Sequence, residues 1–358
     1  LRNCCLFEGQ ILRYRWFWPF EGNYRSRGLV GMGGLLKDDW HKALSSFPAK
    51  VDLTHQRFWS GLPVSYAESV QVGVGDPIYK MVQITGRDLL LFRSKVTPKM
   101  ISTVVPHPDW MVLMAPVSWQ GAYIFNGQEA RPFDVFVSGG PDGYSTTNDR
   151  RHNLALGLRK SRLREACANL RGLHVEDIAL DDQRMSLGSA LGTRFYRRIL
   201  EAITASLNKP LGPGKFALDA VVENDLFAEV ASLIMAKTIE KNAFSKPNLD
   251  PLSVVRRAES LFEDRLTNPP SIADLCKAAS VGATTLHLCF NEIYGVSPIA
   301  YLQSKRITQA RCAILAAERA PRSIKDVAIS LGFTHSGRFA KKYHSLFGEF
   351  PSATIDKR

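Results

Sequence analysis

The stretch SIADLCKAASV at residues 271–281 is echoed by SIKDVAISLGF at residues 323–333. The offset is 52 positions, and after one extra residue in the second turn it becomes 53, so that Phe290 matches Tyr343 and Pro298 matches Pro351. A period near 50 residues with matching apolar and chain-breaking positions indicates two copies of one supersecondary unit.

Each copy opens with Ser-x-x-Asp, the pattern of a capping box that starts a helix. A tight turn follows, at Gly282 in the first copy and Gly332 in the second, and we expect glycine to take the positive φ there. The next helix buries apolar residues at i, i+3, i+4 and i+7 and leaves its other face outward. Two short helices of this kind predict a helix-turn-helix in each copy, at 271–293 and 323–346.

The outward faces of the two second helices follow from a rotation of 100° per residue. Residues 298–318 predict one long helix between the copies, which would fix the distance between these faces. We expect them to carry the DNA-binding residues Thr284, Thr285, His287, Leu288, Asn291, Ser336, Gly337, Arg338 and Lys341.

This arrangement, with LGFTHSGRFA at 331–340 and LFGEFP at 346–351, resembles the AraC/XylS family of bacterial transcription regulators. The resemblance covers residues 252–358. It implies that the two second helices enter successive major grooves of double-stranded DNA, about 34 Å apart. It also implies contact with RNA polymerase, usually to activate. The sequence departs from the family at Gly282, where a serine often caps the helix, and the first copy presents no arginine to a guanine.

Composition agrees with a nucleic-acid partner. The chain has 358 residues, 45% hydrophobic content and a net charge of +12. Residues 252–358 contain fifteen Lys and Arg against nine Asp and Glu. This excess suits a polyanion, although charge alone would also suit a membrane surface. Apolar runs stay short of the ~20 residues that a spanning helix needs, so we expect no membrane contact. Six cysteines without a CxxC pair are typical of free thiols in the cytoplasm.

The first half of the chain predicts strands. Residues 1–37 show no sustained period and are expected to be a poorly ordered extension. Residues 38–187 contain at least six short apolar runs separated by turn signals, which favours a β-rich domain. The family resemblance implies that this is a cupin-like sensor for a small molecule. An apolar or aromatic effector would contact Trp110, Trp119, Tyr123, Phe125 and Phe133, although aromatic residues at strand spacing also form ordinary core.

No catalytic or metal-binding pattern stands out. His107 lacks the second histidine of a cupin metal site, and His287, His335 and His344 lack Cys/His spacing. We therefore predict a non-enzyme with no cofactor and no metal.

The fold class is predicted as multi-domain α+β, with an all-α C-terminal domain at 252–358. Residues 188–244 are expected to form a helical dimerisation segment, with helices at 188–207 and 216–244, and residues 245–251 a linker. The predicted function is a sequence-specific DNA-binding activator that responds to an effector and acts as a homodimer at the bacterial nucleoid. Two alternatives are open: a constitutive DNA-binding protein whose first domain only dimerises, and an enzyme with an accessory DNA domain.

Overall fold

The computed structural model describes residues 62–212, 215–237, 250–263, 265, 268–316 and 323–356. The expected extension at 1–37 and most of the expected linker at 245–251 lie outside these residues. The described strands are β1 (Val64–Gln71), β2 (Ile78–Thr85), β3 (Leu89–Thr97), β4 (Met100–Pro106), β5 (Trp110–Phe125), β6 (Gln128–Glu129), β7 (Asp134–Ser138), β8 (Tyr144–Arg159), β9 (Gln183–Ser186), β10 (Pro210–Gly212) and β11 (Lys215–Ala217). The described helices are α1 (Lys160–Arg171), α2 (Gly188–Ser206), α3 (Ala220–Lys237), α4 (Pro251–Glu263), α5 (Ile272–Ala279), α6 (Ala283–Tyr294), α7 (Pro298–Ala316), α8 (Ile324–Ser330), α9 (Ser336–Phe347) and α10 (Pro351–Ile355), with a 3-10 turn at Val175–Asp177.

The N-terminal region is β-rich and is organised around the long strand β8. One edge of β8 pairs with β4 through residues 144–148 and with β3 through residues 151–158. The other edge pairs with β5, in a register that shifts at bulges. The two halves of β8 meet at Arg150, which has a φ of +43°. Strands β3 and β4 therefore follow each other along one edge of β8.

Alternation along the strands gives the sheet two apolar faces. Met111, Leu113 and Ala115 of β5 point to one face, where helices α1, α2 and α3 cover them. Met114 belongs to the other face, together with the aromatic residues Phe125 and Tyr144. The helical layer and the sheet thus share one core, and a second cluster lies on the opposite face.

The helix predicted from residue 216 begins at Ala220 instead. Phe216 lies in β11, which pairs in parallel with Ile84 of β2, a contact between distant residues that no local pattern encodes. The helix pattern predicts that the apolar Val221 faces inward, but it is 68% exposed, whereas Glu223 on the same helix is buried. Its carboxylate accepts hydrogen bonds from the backbone N–H groups of Arg87 and Asp88 at 3.0 and 2.6 Å.

The C-terminal region is helical and has two cores joined by α7. Leu302 packs with α4, α5 and α6, whereas Ala310 and Ile314 pack with α8 and α9. The first core also takes in Val70 and Ile101 from the β-rich region. The two halves of the molecule therefore share buried apolar surface.

Candidate nucleic-acid interface and sensor cavity

Both predicted capping boxes are present. The Ser271 hydroxyl accepts from the Asp274 N–H at 3.2 Å, and the Asp274 carboxylate accepts from the Ser271 N–H at 2.9 Å. Ser323 and Asp326 repeat the exchange at 3.1 and 3.3 Å. These bonds satisfy otherwise free donors of the first turn, so α5 and α8 begin at equivalent positions.

The first turn differs from the expectation that glycine would take the positive φ. Ser280 adopts the left-handed conformation, with a φ of +56°, and Gly282 is extended at −74°. In the second copy Gly332 does take the positive φ, at +73°. Gly282 instead occupies the position that caps α6 and offers no side chain for it. A β-carbon built there would meet nothing within 4 Å.

The second helix of each unit, α6 and α9, is called a recognition helix below. Each buries one aromatic face, through Phe290 and Tyr294 in α6 and through Phe339 and Tyr343 in α9. Opposite these faces, the side chains proposed to bind DNA are reachable from solvent. Thr285 and His287 are half-buried, and the exposed ones are Thr284, Leu288, Asn291, Ser336, Gly337, Arg338 and Lys341.

Helix α7 holds the two units together. Near its start, Tyr301 stacks on Tyr294 of α6 with centroids 4.7 Å apart, and its hydroxyl donates to Glu259 of α4. Further along, Arg306 donates from Nε to the carbonyl of Leu331 at 2.7 Å. Helix α7 therefore fixes the positions of both recognition helices relative to each other.

The β-rich region contacts the C-terminal end of both recognition helices. The carbonyl of Leu346, near the end of α9, accepts from the Gly75 N–H at 2.9 Å and from Nε2 of Gln71 at 3.1 Å. The carbonyl of Ile293, near the end of α6, accepts from the Thr147 hydroxyl at 3.3 Å. The orientation of the recognition helices is therefore coupled to the strands β1 and β8.

A buried ion pair joins β1 to α7. The Lys305 ammonium lies 2.6 Å from the Glu68 carboxylate, and the two side chains are 1% and 19% exposed. Burial raises the pKa of Glu68; Lys305 opposes that shift and the nearby Glu259 carboxylate adds to it. A second interdomain pair, Arg311 with Asp76, spans 3.3 Å. Sequence patterns do not reveal either contact, because each joins residues more than 230 positions apart.

The face of the sheet opposite the helical layer borders a partly open cavity of about 80 Å³. Its polar lining includes Ser102, Arg151 and Asn153, and its apolar lining includes Met81 and Trp110. Space of this size has room for about two to three water molecules, at ~30 Å³ each. The sequence interpretation missed Arg151 and Asn153, although their alternation along β8 was a signal for one shared face.

The five aromatic residues predicted to contact an effector do not form one site. Trp110 lines the cavity. Trp119 and Tyr123 pack edge to face at 5.7 Å, and Phe125 stacks on neighbouring rings, so these three form core. Phe133 lies in the helical layer, with its ring centroid 6.1 Å from that of Tyr196.

Two buried tyrosines near Arg151 remain neutral at physiological pH. Burial raises the pKa of Tyr79 and of Tyr123 to about 12, and Arg151 only partly opposes the shift. Elsewhere, the described residues contain no cluster of three or more His, Cys, Asp or Glu side chains able to hold a metal ion. None of the described helices combines the length and the hydrophobicity needed to cross a bilayer.

Comparison with known proteins found relatives of the C-terminal region. A family profile described as a helix-turn-helix domain matches residues 275–357. XylDLEGF operon transcriptional activator 2 from Pseudomonas putida is 27% identical over 129 residues, which cover 36% of this chain and 82% of the relative. The chain carries an AraC/XylS-type DNA-binding domain.

Two further comparisons found similar chains. A probable thc operon regulatory protein from Rhodococcus erythropolis is 25% identical over 204 residues, 56% of this chain and 60% of the relative. The crystal structure of a probable AraC family transcriptional regulator from Rhodopseudomonas palustris is 28% identical, with a TM-score of 0.27, over 29% of this chain and 95% of that one. The chain thus spans less than two thirds of the Rhodococcus relative.

Proposed function

We propose that this protein is a sequence-specific DNA-binding transcription regulator, acting as an activator. The observation that carries the proposal is the pair of recognition helices, each preceded by a capped helix, each with an exposed outer face, and both fixed by α7. Successive major grooves recur about 34 Å apart, so tandem units can occupy both from one side of the duplex. Phosphate contacts by Lys and Arg would supply most of the affinity, and base contacts the discrimination.

Within this proposal the exposed residues divide by role. Thr284, His287 and Lys341 contact base edges, and each good pairing contributes roughly 1–3 kcal/mol of discrimination. Arg338, beside them on α9, contacts phosphate or base. Thr285, Leu288, Asn291, Ser336 and Gly337 complete the two surfaces.

The β-rich region acts as the sensor in this proposal, and a cupin-like role suits its cavity. A small-molecule effector there would bias the contacts of β1 and β8 with the ends of α6 and α9. Because Leu346 and Ile293 accept hydrogen bonds from the sensor, a change in these strands alters the orientation of the recognition helices. RNA polymerase is the proposed partner for activation. Homodimerisation through residues 188–244 and a cytoplasmic, nucleoid-associated location belong to the same proposal.

Selection of genomic fragments by the purified full chain tests DNA binding. We expect enrichment of a few discrete sites and a Kd that rises steeply with salt, because counterion release drives binding. Lys341→Ala should weaken binding to an enriched site more than to random DNA. Lys215→Ala, which removes the same charge from an exposed position on β11, serves as the matched control. Equal retention of all fragments would refute sequence-specific binding, and binding and transcription unaffected by any metabolite would favour the constitutive alternative.

A further inference from the structure

The two recognition helices are equivalent residue by residue. Helix α6 spans Ala283–Tyr294 and α9 spans Ser336–Phe347, so each has 12 residues and both ends are offset by 53 positions. Each helix is followed by a glycine in the left-handed conformation, Gly295 with a φ of +64° and Gly348 with a φ of +74°. A position in α6 therefore lies at the same place in its unit as the position 53 residues later lies in the second unit.

Leu288 and Lys341 occupy equivalent positions on the outer faces of these helices. Both side chains are exposed, and each residue lies two positions before a buried aromatic ring, Phe290 in α6 and Tyr343 in α9. Two residues of an α-helix turn the chain by about 200°, so both side chains lie on the side away from the core. The same place in the two units thus presents an apolar side chain in α6 and an ammonium group in α9.

The two outer faces also differ in charge. Helix α6 contains no Lys or Arg and one carboxylate, Glu292, whereas α9 contains Arg338, Lys341 and Lys342 and no carboxylate. Among the described residues, neither Arg338 nor Lys341 belongs to an ion pair. Arginine and lysine select guanine by donating to its O6 and N7 atoms in the major groove. Helix α9 can therefore select guanine in this way, whereas α6 has no arginine or lysine to do so.

Leu288 is an apolar group on a face that otherwise carries polar side chains. At 63% exposure, it is the most exposed large apolar residue among those described between residues 250 and 356. Thymine presents a 5-methyl group in the major groove, beside its O4 acceptor. Contact between this methyl and a leucine removes apolar surface of both partners from water. A leucine over guanine or cytosine would instead cover polar groups without offering them a hydrogen bond, which carries a cost.

The neighbours of Leu288 also suit a pair of thymine and adenine. Thr284 lies four residues before it and Asn291 three residues after it, so the three side chains form one line along α6. All three are exposed. A threonine methyl packs against the thymine methyl, and an asparagine amide pairs with N6 and N7 of adenine. The line therefore offers apolar and neutral polar contacts, and no formal charge.

We propose that Leu288 selects a thymine, through its 5-methyl group, at the base pair under α6 that corresponds to the one where Lys341 selects a guanine under α9. The inference rests on the proposed function, because it assigns base preferences to the two recognition helices. The DNA site is thus a tandem of two chemically different half-sites. One is read by an apolar contact and the other by a charged one, so the DNA sequence fixes the direction in which a single chain lies on the duplex.

Deoxyuridine, which differs from thymidine only by the missing 5-methyl group, tests the apolar contact. Selection from random duplex DNA with the purified full chain defines the site, and deoxyuridine then replaces each thymidine in turn. We expect one replacement in the half-site under α6 to raise the Kd about fourfold, the effect of losing one buried methyl group. This change alters the DNA alone, so protein folding does not enter the result. A Kd unchanged by every replacement would overturn the inference.

Protein variants assign the methyl contact to Leu288. Leu288→Ala should bind the thymidine and deoxyuridine sites equally, whereas Leu170→Ala, which shortens an exposed leucine of α1, should keep the difference. Leu288→Lys should move the preference at this base pair from thymine to guanine, because it reproduces the side chain of Lys341 at the equivalent position. A methyl dependence that persists in Leu288→Ala, or a thymine preference that persists in Leu288→Lys, would overturn the assignment.

The half-site under α9 is tested with 7-deazaguanine, which removes the N7 acceptor. One such replacement should weaken binding by the parent and by Leu288→Ala, but not by Lys341→Ala. A loss of the same size in Lys341→Ala would remove Lys341 from guanine recognition and overturn the correspondence between the two positions.

These measurements separate the inference from the proposed function. Equal retention of all duplexes in the selection would overturn the proposed function, and the inference with it. A selected site whose binding ignores every thymine methyl would leave the regulator standing and overturn the inference alone. If Leu288→Ala lowers transcription but changes neither the Kd nor its methyl dependence, Leu288 contacts a protein partner instead of DNA, and the inference is wrong.

Discussion

The ion pair between Glu68 and Lys305 predicts a loss of stability when either partner is removed alone. Lys305→Met keeps the length of the buried stem but leaves the Glu68 carboxylate without its cation, near a second buried carboxylate, Glu259. Removing one partner of a fully buried pair costs roughly 3–5 kcal/mol. Because Glu68 is 19% exposed, we expect a loss of about 2–3 kcal/mol.

The reverse change should cost at least as much. Glu68→Gln leaves the Lys305 ammonium, which is only 1% exposed, without its anion. It should therefore cost roughly 3–5 kcal/mol. The double variant Glu68→Gln/Lys305→Met should return close to the parent, since a pair replaced by neutral groups leaves no buried charge alone.

Hydrogen exchange of peptides from β1 and α7 measures these losses of stability locally, without assuming that a two-domain chain unfolds in one step. A loss of about 2–3 kcal/mol corresponds to exchange about 30- to 150-fold faster in Lys305→Met. Glu165→Gln, which breaks an exposed pair on α1, is the control and should change exchange little. Unchanged exchange in either single variant, or a double variant as destabilised as the single variants, would refute the reasoning.

Three further predictions concern the turn, pH and salt. Ser280→Gly should raise the unfolding free energy by about 1 kcal/mol, because it relieves the left-handed serine. Gly282→Ser should raise it by a few tenths of a kcal/mol, the amount by which a serine cap exceeds glycine. Urea titration measures both, and a loss of stability in either variant would contradict the turn geometry. Burial, with the neighbouring cations Arg93 and Lys95, holds the pKa of His152 well below 6.5, so its stabilisation is present above pH 6.5 and is lost as the pH falls. Between pH 7.5 and 5.0, thermal unfolding should reveal a loss of stability of up to about 2 kcal/mol, and His152→Gln should abolish this loss. An equal loss in the parent and the variant would contradict the role of His152. Promoter affinity should fall linearly on a log–log plot against salt, with a shallower slope for Arg338→Ala if Arg338 contacts phosphate, whereas an identical slope would remove Arg338 from the phosphate contacts.

The helix-turn-helix units could be predicted from sequence because their determinants are local. The capping serines, the turn residues and the apolar spacing all lie within a few helical turns of each other, and both boxes form as the pattern indicates. The exception is the first turn. Ser280, rather than Gly282, takes the positive φ, because the left-handed residue follows directly on α5 while Gly282 caps α6.

The sensor cavity could not be predicted in the same way. Alternation separates the two faces of a strand but does not tell which face borders a cavity, so the sequence pattern does not distinguish Trp119, Tyr123 and Phe125 from Trp110. Only strand pairing places Arg151 and Asn153 beside Ser94 and Ser102, and that pairing joins distant segments. The strand at Lys215–Ala217 was missed for the same reason, since its partner β2 lies about 130 residues earlier.

We propose that the two recognition helices of one chain occupy successive major grooves. Guanine N7 methylation protection on an enriched genomic site measures directly which grooves the protein occupies. We expect two protected blocks per chain, centred about 10 base pairs apart, with Lys341→Ala exposing one block and Thr284→Ala weakening the other. A single block, or protection unaffected by both substitutions, would contradict the claim.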